Sequence, residues 1–332
     1  SRPTGDSGRP PGRRRTRRRQ LRLVGVLLAA WLVFLIGTPV FALARMDRVD
    51  QSQSDARPPR QPGTATLLVG SDARDPGPGY EPVPGDEDLT TARADTIMLL
   101  YQPRSGRPVL VSLPRDSYVP IPDLGQDKLN AAYAYGGPAL LTETVEQVTG
   151  VRIDGYLEIG FDGFSRVVDA VGGVEVCTDI ALQDDLSGLD IPAGCTQLDG
   201  QQALAYVRMR YADPRGDIGR AERQREIIGK VVGKAASPVS VLNPVRYWSL
   251  NMAAADMVTK GDQTGPLDLL GSARALIGVA GRDGLSLVVP IADPSGVSDT
   301  GASVVIWDRE NALALFDEIS RGDTSQLDRF LG

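Results

Sequence analysis

The sequence predicts an α/β fold, with helices on both faces of one sheet, preceded by a single membrane-spanning helix. Short β-branched apolar segments alternate with longer helical segments along the chain, which is the pattern of an α/β protein. Residues 23–44 carry no charge and lie between Arg22 and Arg45, and about 20 such residues suffice to cross a membrane. The chain has 332 residues, 42% of them hydrophobic, with no visible internal repeat, so it can bury a large core.

The arginine-rich N-terminus predicts how this helix is oriented. Residues 1–22 contain nine arginines and one acid, and the positive-inside rule places such a segment in the cytoplasm. The prediction is a cytoplasmic tail (1–22), a transmembrane helix in the cell membrane (23–44) and an extracellular remainder. A cleaved signal peptide is the competing interpretation, since Ala42-Leu43-Ala44 has the spacing of a cleavage site and 16–19 resembles a twin-arginine signal. The apolar run exceeds the usual signal length of roughly 7–15 residues, which favours a retained anchor.

The segments after this helix predict a linker and then the strands of the sheet. Residues 45–63 are polar and end in a run rich in proline, which predicts an extended linker. The strand candidates are short, apolar and β-branched: 65–69, 96–102, 109–113, 153–159, 174–177, 285–291 and 304–307. The residues 75–88, dense in Pro and Gly, predict a surface loop between the first two strands.

The helix candidates have recognisable ends. Pro138 suits a first turn and Gly150 a helix end, and Asp162 and Asp199 are predicted N-caps. The predicted helices are 138–149, 162–171, 200–206, 217–236, 245–259, 266–280 and 309–321. No firm break follows residue 236. The prediction is therefore one domain over 64–332, in which 236–332 completes a motif-bearing core at 64–235.

Composition excludes several kinds of chemistry. The chain has no histidine, which excludes His-based triads, His-ligated zinc and imidazole acid–base catalysis. Its two cysteines, Cys177 and Cys195, bracket 17 residues rich in Asp, Gly and Ser, and in an exported protein this predicts a disulfide. Two separate buried thiols are the alternative, and the spacing fits no metal motif.

Charged residues at the edges of apolar segments predict a metal-bridged phosphate site. Two isolated acids, Asp72 and Asp95, lie upstream, and Arg115 follows the apolar run 108–113, where α/β proteins place ligand chemistry. Guanidinium groups suit phosphate oxygens, and carboxylates together with phosphates suit Mg²⁺. The candidate phosphate-binding arginines are Arg115, Arg208, Arg210, Arg220 and Arg223.

The spacing of the downstream arginines restricts the structures that can bring them to one site. Arg208 and Arg210 share a face on an extended segment, but they would not share one on a helix. Arg220, Arg223 and Gln224 have i, i+3 and i+4 spacing, which places all three on one stripe of a predicted helix. The first turns of that helix also attract anions.

Each residue also has an ordinary structural interpretation, which five motifs in a fixed order outweigh. Arg223 can pair with Glu222 or Glu226 on its own helix. Lys128 can be a loop residue, and Asp72 can be a turn residue. The five motifs are RADT (93–96), SLPRD (112–116), KLNAAY (128–133), DGQQALAYVRMR (199–210) and GDIGRAERQ (216–224).

Together these motifs resemble the LytR-CpsA-Psr family of bacterial cell-envelope proteins, over about residues 64–232. The single N-terminal span is similar to that family as well, and the cysteine pair resembles its actinobacterial members. The resemblance implies a three-layer α/β/α sandwich around a central mixed sheet. It also implies an enzyme, a phosphotransferase that moves a phosphoglycan of teichoic acid, arabinogalactan or capsule type from polyprenyl diphosphate to peptidoglycan with Mg²⁺.

The resemblance implies roles for individual residues. Asp72 and Asp95 match the carboxylates that hold Mg²⁺, or Mn²⁺ in its place. The residues that match diphosphate contacts are Arg93, Arg115, Arg208, Arg210, Arg220 and Gln224, with Lys128 as a further basic contact. The helix spacing adds Arg223 to the diphosphate set, and the residues expected to be catalytic are Arg115, Arg208 and Arg220. Tyr211 follows the arginine pair where the family often has His, which argues against an essential base at that position.

Two other functions remain as alternatives: a hydrolase that sends the diphosphate to water, and a non-catalytic envelope protein that binds lipid or glycan. The general base is unassigned, and Asp116 either fills that role or orients Arg115. Apolar stretches in 138–171 and 227–280 line a lipid cleft or fill a core, and the core is the commoner outcome.

The expected partners are the polyprenyl-diphosphate-linked glycan, peptidoglycan and the membrane, and no nucleic acid. The chain carries a net charge of −6 although residues 1–22 contribute +8, which leaves −14 for the rest. An exported part this acidic, without a basic recognition helix apart from the arginines already assigned, disfavours a DNA-binding regulator. The arginine run could also be a nucleic-acid tail, but it directly abuts the membrane span.

Overall fold

Two parts of the chain are described separately. The computed structural model describes residues 13–51, 57–71, 94–184, 187–209, 216–281 and 283–331, and the chain divides into residues 1–44 and residues 45–332. The first part contains helix α1 (Arg13–Arg45), whose last residue begins the second part. Within α1, Arg22–Arg45 contains an 18-residue stretch with a mean hydropathy of 2.4, and this segment is long and apolar enough to cross a membrane.

The second part alternates strands and helices, as the sequence predicts. Its described strands are β1 (Arg48–Val49), β2 (Gly63–Ser71), β3 (Ala94–Pro103), β4 (Val109–Leu113), β5 (Tyr118–Ile121), β6 (Gly125–Lys128), β7 (Gly155–Gly160), β8 (Val174–Thr178), β9 (Leu182–Asp184), β10 (Leu189–Ile191), β11 (Gly194–Leu198), β12 (Val258–Gly261), β13 (Leu285–Val288), β14 (Ile291–Val297) and β15 (Ser303–Trp307). Its described helices are α2 (Leu129–Thr149), α3 (Phe161–Ala170), α4 (Gly200–Arg208), α5 (Gly216–Ala235), α6 (Pro238–Leu242), α7 (Pro244–Met257), α8 (Pro266–Ala280) and α9 (Arg309–Arg321).

Seven of the described strands form one mixed sheet in the order β1-β12-β7-β2-β3-β4-β13. β2 pairs in parallel with β7, and β4 with β13, whereas the β2–β3 and β3–β4 pairs are antiparallel. Helices α2 and α9 pack on one face of the sheet, and α5 and α8 pack on the other. The expected three-layer α/β/α sandwich around a central mixed sheet is confirmed. The last third of the chain, 236–332, supplies β12 and β13 to this sheet and α8 to its cover.

Strand β3 shows why both faces of the sheet are covered. Its residues Ile97, Leu99 and Tyr101 pack in the core with α2 and α9, and the alternate residues Met98 and Leu100 pack with α8. All five side chains are buried. Because successive side chains of a strand point to opposite faces, a continuous apolar run of this kind is stable only between two helical layers.

Helix α2 begins earlier than predicted and is broken in the middle. Gly136 and Gly137 leave the helical conformation, with φ of 61° at Gly137, a left-handed value that glycine adopts freely. Pro138 then begins the second segment, and Gly150 ends it with φ of 67°. The break explains why the sequence signals at Pro138 and Gly150 predict only the second segment.

The two predicted aspartate caps have different outcomes. Asp199 caps α4 as predicted: its carboxylate accepts from the backbone N–H of Gln202 at 2.8 Å, and the Gln202 side-chain oxygen accepts from the Asp199 N–H at 3.2 Å. The prediction for Asp162 is wrong, because α3 begins at Phe161 and its N-cap is Gly160. Asp162 lies inside the first turn, a position that acids also favour because of the helix dipole.

The interpretation of 45–63 as a linker needs correction, since its described residues belong to the folded part. Strand β1 pairs with β12 at the edge of the sheet, and the fully buried Gln51 donates from Nε2 to the carbonyl oxygen of Ile153 at 3.1 Å. Arg57 forms a buried ion pair with Glu146, in which Nε lies 3.0 Å from Oε2. The polar residues of this segment therefore satisfy buried groups of the domain.

The cysteines bridge a two-stranded unit outside the main sheet. β8 and β11 form an antiparallel pair in which Cys177 lies opposite Cys195, and a disulfide joins them, as the sequence predicts. Apolar residues of α3, α4 and these strands form a separate core cluster under the pair. The disulfide therefore fastens a smaller core beside the central sheet.

Candidate active site

A cavity of about 560 Å³ lies between the sheet and the helices on one of its faces. Its walls are mainly apolar side chains of α3, α5 and α8 and of strands β2 and β7. The apolar wall residues from these three helices are Phe164, Val167, Val168, Ile228, Val231, Val232 and Leu276. The apolar stretches within 138–171 and 227–280 thus have both of the roles that the sequence allows. Some of their residues fill cores, and the wall residues line a cleft.

Four predicted site residues line the same cavity: Asp95, Arg115, Arg208 and Gln224. They come from the start of β3, the loop after β4, the last turn of α4 and the first half of α5. One carboxylate, two guanidinium groups and one amide thus share a cavity with apolar walls. This combination suits a ligand that has both an apolar and an anionic part.

The sheet register brings Asp95 and Arg115 together. The pairing of β2 and β3 shifts between Gly70 and Ser71, which leaves Asp95 as an extra residue at a bulge. Bulges of this kind re-aim a side chain and are common beside binding sites. Because β4 runs antiparallel to β3, its last residues lie beside the start of β3, and Arg115 follows there.

A chain of ion pairs crosses this edge of the sheet. Arg115 donates from Nη1 to a carboxylate oxygen of Asp95, and its Nε lies 3.3 Å from Oδ2 of Asp116. Lys128, at the N-terminal end of α2, donates from Nζ to Oδ1 of Asp116 at 2.9 Å. The first three motifs, RADT, SLPRD and KLNAAY, therefore meet in one network.

The network sets the protonation of Asp116 and Arg115. Burial disfavours the ionised carboxylate of Asp116, but the hydrogen bond from Lys128 and the charge of Arg115 outweigh burial and lower its pKa. Burial also opposes the charge of Arg115, and Asp95 and Asp116 outweigh it and raise the pKa of the guanidinium. Asp116 is thus an ionised carboxylate held by two cations, which makes it a weak base. Of the two roles that the sequence left open for Asp116, the geometry favours orienting Arg115.

We expect the pairing of Asp116 with Arg115 and Lys128 to stabilise the fold at neutral pH and to lose this effect at acidic pH. Because the pKa of Asp116 in the fold is below its ordinary value of 3.8, the stabilisation is fully present above that pH and is lost as pH falls through the folded pKa. The free energy of unfolding lost in Asp116→Asn should therefore be larger at neutral pH than at about pH 3. Urea unfolding of both proteins in detergent measures this difference. An equal loss at the two pH values would contradict the pairing.

The loop that carries Arg115 is held by elements that the sequence analysis did not connect to the site. A backbone N–H in the first turn of α2 donates to the carbonyl oxygen of Arg115 at 2.9 Å. The backbone N–H of Val305 donates to the carbonyl oxygen of Asp116 at 2.8 Å. The indole N–H of Trp307 donates to Oγ of the fully buried Ser117 at 2.8 Å. The final third of the chain thus helps to fix the position of the charged loop.

Arg223 has a different environment from the one predicted. Its side chain is buried and donates to the carbonyl oxygens of Tyr206, at 3.1 Å, and Met209, at 2.6 Å. It is not among the described residues that line the cavity. These bonds hold the end of α4 against α5, so in this structure Arg223 fixes the backbone next to Arg208.

Four predicted site residues lie wholly or partly outside the description. Asp72, Arg93 and Arg210 lie outside the described residues, and so does the side chain of Arg220, whose backbone belongs to α5. The chain leaves α4 in an extended conformation at Met209, with φ of −53° and ψ of 133°. Arg208 itself ends the helix and Arg210 lies outside the described residues, so a common face for the two arginines stays a prediction.

A buried carboxylate that the sequence analysis missed also lines the cavity. Glu158 on β7 accepts from Ser71 Oγ at 2.6 Å, from the Tyr133 hydroxyl at 2.7 Å and from the Tyr156 hydroxyl at 2.6 Å. Burial and the charge of Glu158 raise the pKa of Tyr156 well above its ordinary value, so its hydroxyl remains a donor. Only Tyr133, in the KLNAAY motif, could have pointed to this residue.

The described residues include one of the two predicted magnesium ligands, Asp95, so the magnesium site stays a prediction. Asp95 lines the cavity with 26% of its side chain exposed, and carboxylate oxygens are the ligands that Mg²⁺ prefers. Among the described residues, the one group of three potential metal ligands within mutual reach is Glu175 with the two cysteines. Both cysteines are consumed by the disulfide, so this group is not a metal centre.

Two curated proteins and one solved structure show what the chain is similar to. A probable cell wall biosynthesis protein LcpB from Corynebacterium glutamicum is 42% identical over 298 residues, which cover 88% of this chain and 69% of that protein. A polyisoprenyl-teichoic acid–peptidoglycan teichoic acid transferase TagU from Enterococcus faecalis is 44% identical over 194 residues, covering 58% of this chain and 59% of that protein. The chain thus spans less than two thirds of the TagU relative.

The structural comparison agrees at the level of the fold. A LytR-Csp2A-Psr enzyme from Actinomyces oris superposes with a TM-score of 0.63 at 22% identity, covering 83% of this chain and 96% of that chain. The model of the LytR_cpsA_psr family matches residues 42–312, which include every described residue of the candidate site. The resemblance inferred from the five motifs is confirmed, and this chain belongs to the LytR_cpsA_psr family.

Proposed function

We propose that this protein is a membrane-anchored phosphotransferase that moves a phosphoglycan from polyprenyl diphosphate to peptidoglycan. One observation carries the proposal: Asp95, Arg115 and Arg208 line the same cavity as the apolar side chains of α3, α5 and α8. A lipid-linked diphosphate needs both kinds of surface in one site. The relative from E. faecalis, which is named as a teichoic acid transferase to peptidoglycan, supports the same class of substrate.

The apolar walls would hold part of the lipid. Phe164, Val232 and Leu276 belong to three different helices that cover the sheet, so the lipid would be enclosed between helices and strands. Each buried CH₂ group contributes about 0.8 kcal/mol to binding. Most of the affinity for the donor would therefore come from these walls, and the polar residues would fix its orientation.

The charged residues would bind the diphosphate and stabilise the transition state. Arg115, oriented by Asp116, and Arg208 would neutralise the phosphate oxygens, and Gln224 would donate a hydrogen bond. Mg²⁺, or Mn²⁺ in its place, held by Asp95 and Asp72, would add positive charge at the same oxygens when bound. The family motifs extend the set of diphosphate contacts to Arg93, Lys128, Arg210 and Arg220.

The reaction would be a displacement at the phosphorus next to the glycan. A hydroxyl oxygen of peptidoglycan forms a bond to this phosphorus, the bond to the bridging oxygen breaks, and polyprenyl monophosphate leaves. The hydroxyl proton passes to a phosphate oxygen of the leaving group, whose second pKa is about 6. The protein's contribution is alignment and charge neutralisation by preorganised groups such as Arg115.

The N-terminal helix would anchor the enzyme beside its lipid substrate. Arg22–Arg45 is long and apolar enough to span the bilayer, and the arginines before it favour a cytoplasmic N-terminus. The domain that follows would then lie outside the cell membrane. The disulfide between Cys177 and Cys195 supports an oxidising compartment for that domain.

Magnesium dependence tests the proposed role of Asp95. Full-length protein in detergent should transfer glycan to peptidoglycan fragments only with added Mg²⁺. Asp95→Asn should lose about 10²-fold or more in rate, because the substitution removes the carboxylate that would hold the metal. Asp283→Asn, at an exposed residue outside the cavity lining, serves as the matched control. Wild-type activity in EDTA, or an Asp95→Asn rate equal to that of the control, would refute this role.

We expect Trp307→Phe to slow turnover because it removes the indole N–H that bonds to Ser117. Phenylalanine keeps an aromatic ring against Phe316, so the core loses little packing. The loop that carries Arg115 loses a tether, and a small displacement of a charged group should lower kcat by about tenfold with little change in donor KM. Trp248→Phe, on the exposed side of α7, is the matched control. Equal kcat values for the two variants would show that the tether has no role in turnover.

A further inference from the structure

A second cavity of about 510 Å³ lies between α3 and α4, beside the cavity already described. Six of the eight described residues that line it are polar or charged, which is the reverse of the apolar walls of the first cavity. These six residues are Ser165, Arg166, Asp169, Ser187, Gln201 and Arg208. We call this cavity the α3–α4 groove.

The groove adjoins the first cavity through shared residues. Ser187, Leu204 and Arg208 line both spaces. Leu204 and Arg208 are four residues apart on α4, so they form one stripe of that helix. The stripe formed by Leu204 and Arg208 has the apolar cavity on one side and the polar groove on the other. The guanidinium group of Arg208 lies at the boundary between them.

Helix α4 begins beside the groove, and its first residue is held against α3. Gly200 packs against α3 so closely that a Cβ atom would collide with the carbonyl oxygen of Ser165. Its N–H donates to Oδ1 of Asp169 at 2.8 Å, which ties the start of α4 to α3. The exposed Gln201 follows directly, so its amide is presented at the groove by a helix end that cannot shift far.

From this arrangement we infer that the α3–α4 groove binds carbohydrate next to the diphosphate. The inference rests on the proposed function, because it assumes that the anionic centre of the donor lies at Arg208. Sugar hydroxyls both donate and accept hydrogen bonds, and the groove offers hydroxyl, amide, carboxylate and guanidinium groups that match them. A donor with its lipid in the apolar cavity and its diphosphate at Arg208 places its first sugars at the boundary where the groove begins.

The same chemistry describes two sources of carbohydrate, the glycan of the donor and the glycan strand of the acceptor. Both meet at the reacting phosphorus, so both lie within reach of Arg208. The groove adjoins the lipid cavity through α4, which favours the donor. The experiment below therefore measures the two substrates separately.

The test compares wild type with the double variant Arg166→Ala, Gln201→Ala in the full-length protein in detergent. Binding is measured for polyprenyl diphosphate without sugar and for the same lipid carrying a disaccharide. Loss of the two side chains should raise the Kd of the disaccharide lipid by about tenfold, the cost of one or two polar contacts, and leave that of the sugar-free lipid unchanged. The double variant Arg309→Ala, Gln326→Ala, at exposed residues near the C-terminus, is the matched control.

The outcomes separate this inference from the proposed function. A weaker affinity for soluble peptidoglycan glycan strands, with unchanged donor affinity, would support a carbohydrate groove and assign it to the acceptor. Unchanged affinities for both substrates would overturn the inference. Failure of the wild type to bind even sugar-free polyprenyl diphosphate would overturn the proposed function, and the assignment of the groove with it.

Discussion

Replacing Arg115 by alanine is expected to slow glycan transfer by about 10²–10³-fold, the usual loss when a preorganised donor is removed from a transition state. Arg115 lines the cavity and bonds to both Asp95 and Asp116, so its guanidinium is held in place before the substrate arrives. The guanidinium of Arg115 should stabilise the negative charge that develops in the transition state more than it stabilises the bound donor. Its removal should therefore lower kcat more than it raises donor KM. Steady-state release of polyprenyl monophosphate by the full-length protein measures it.

Two further variants make this result specific. Arg115→Lys keeps a positive charge but loses the planar fork that reaches two acceptors, so it should recover only a small part of the rate. Arg104→Ala removes an arginine from the exposed turn after β3 and should leave the rate unchanged. If Arg115→Ala turned over as fast as Arg104→Ala, the charged loop would have no part in the chemistry.

Filling the apolar cavity should weaken donor binding by a factor similar to the loss of rate in Arg115→Ala. Val232 lines the cavity from α5, and Val232→Trp would occupy space that the lipid needs. Displacing a single five-carbon isoprene unit forfeits about 4 kcal/mol at 0.8 kcal/mol per carbon, which is roughly a 10³-fold loss of affinity. Titration of a polyprenyl diphosphate into the detergent-solubilised protein measures the Kd.

The length of the donor lipid identifies the cause of this loss. A donor with a much shorter prenyl chain binds less of the wall, so wild type and Val232→Trp should differ far less for it. Val239→Trp adds the same bulk at a residue that is 66% exposed on α6 and should bind all donors normally. Normal affinity of Val232→Trp for long-chain donors would show that the lipid binds elsewhere.

Most of the fold could be predicted because the residues that begin and end helices, and the apolar patterns of strands, each involve only a few neighbouring positions. The helices at Pro266–Ala280 and Arg309–Arg321 have the predicted limits, since a proline, an aspartate cap or a glycine marks their ends. The central strands were recognisable because β-branched apolar runs of this length fit only a sheet covered on both faces. The cap at Asp162 was misplaced because an acid is favoured both as a cap and inside the first turn.

The candidate site was predictable where charged residues follow strands or end helices. Arg115 after β4 and Arg208 at the end of α4 satisfy that rule, and the structure brings them to one cavity with Asp95 at the start of β3. The tether between Ser117 and Trp307 was not predictable, because 190 residues separate its partners and neither residue type is unusual. The role of Arg223 in holding backbone carbonyls likewise depends on tertiary packing, which an arginine in a motif does not reveal.

The apolar cavity shows a further limit of sequence patterns. The residues of α5 that face the sheet have the period of a buried stripe, whether that stripe packs against a core or borders an empty space. Ile227 is fully buried in a core cluster, whereas Val231 and Val232 line the cavity, although all lie on the same helix. Only the spacing of the surrounding elements decides which apolar residues remain available to a ligand.

The identity of the product tests the central claim most directly. Full-length protein would be incubated with Mg²⁺, a polyprenyl-diphosphate glycan and peptidoglycan fragments, and both products would be followed by mass spectrometry. The account predicts polyprenyl monophosphate together with a phosphodiester between glycan and peptidoglycan, formed only when all three components are present. Free phosphoglycan released without acceptor would show a hydrolase. Lipid retained by the protein without any release would show a binding protein, and either result would contradict the account.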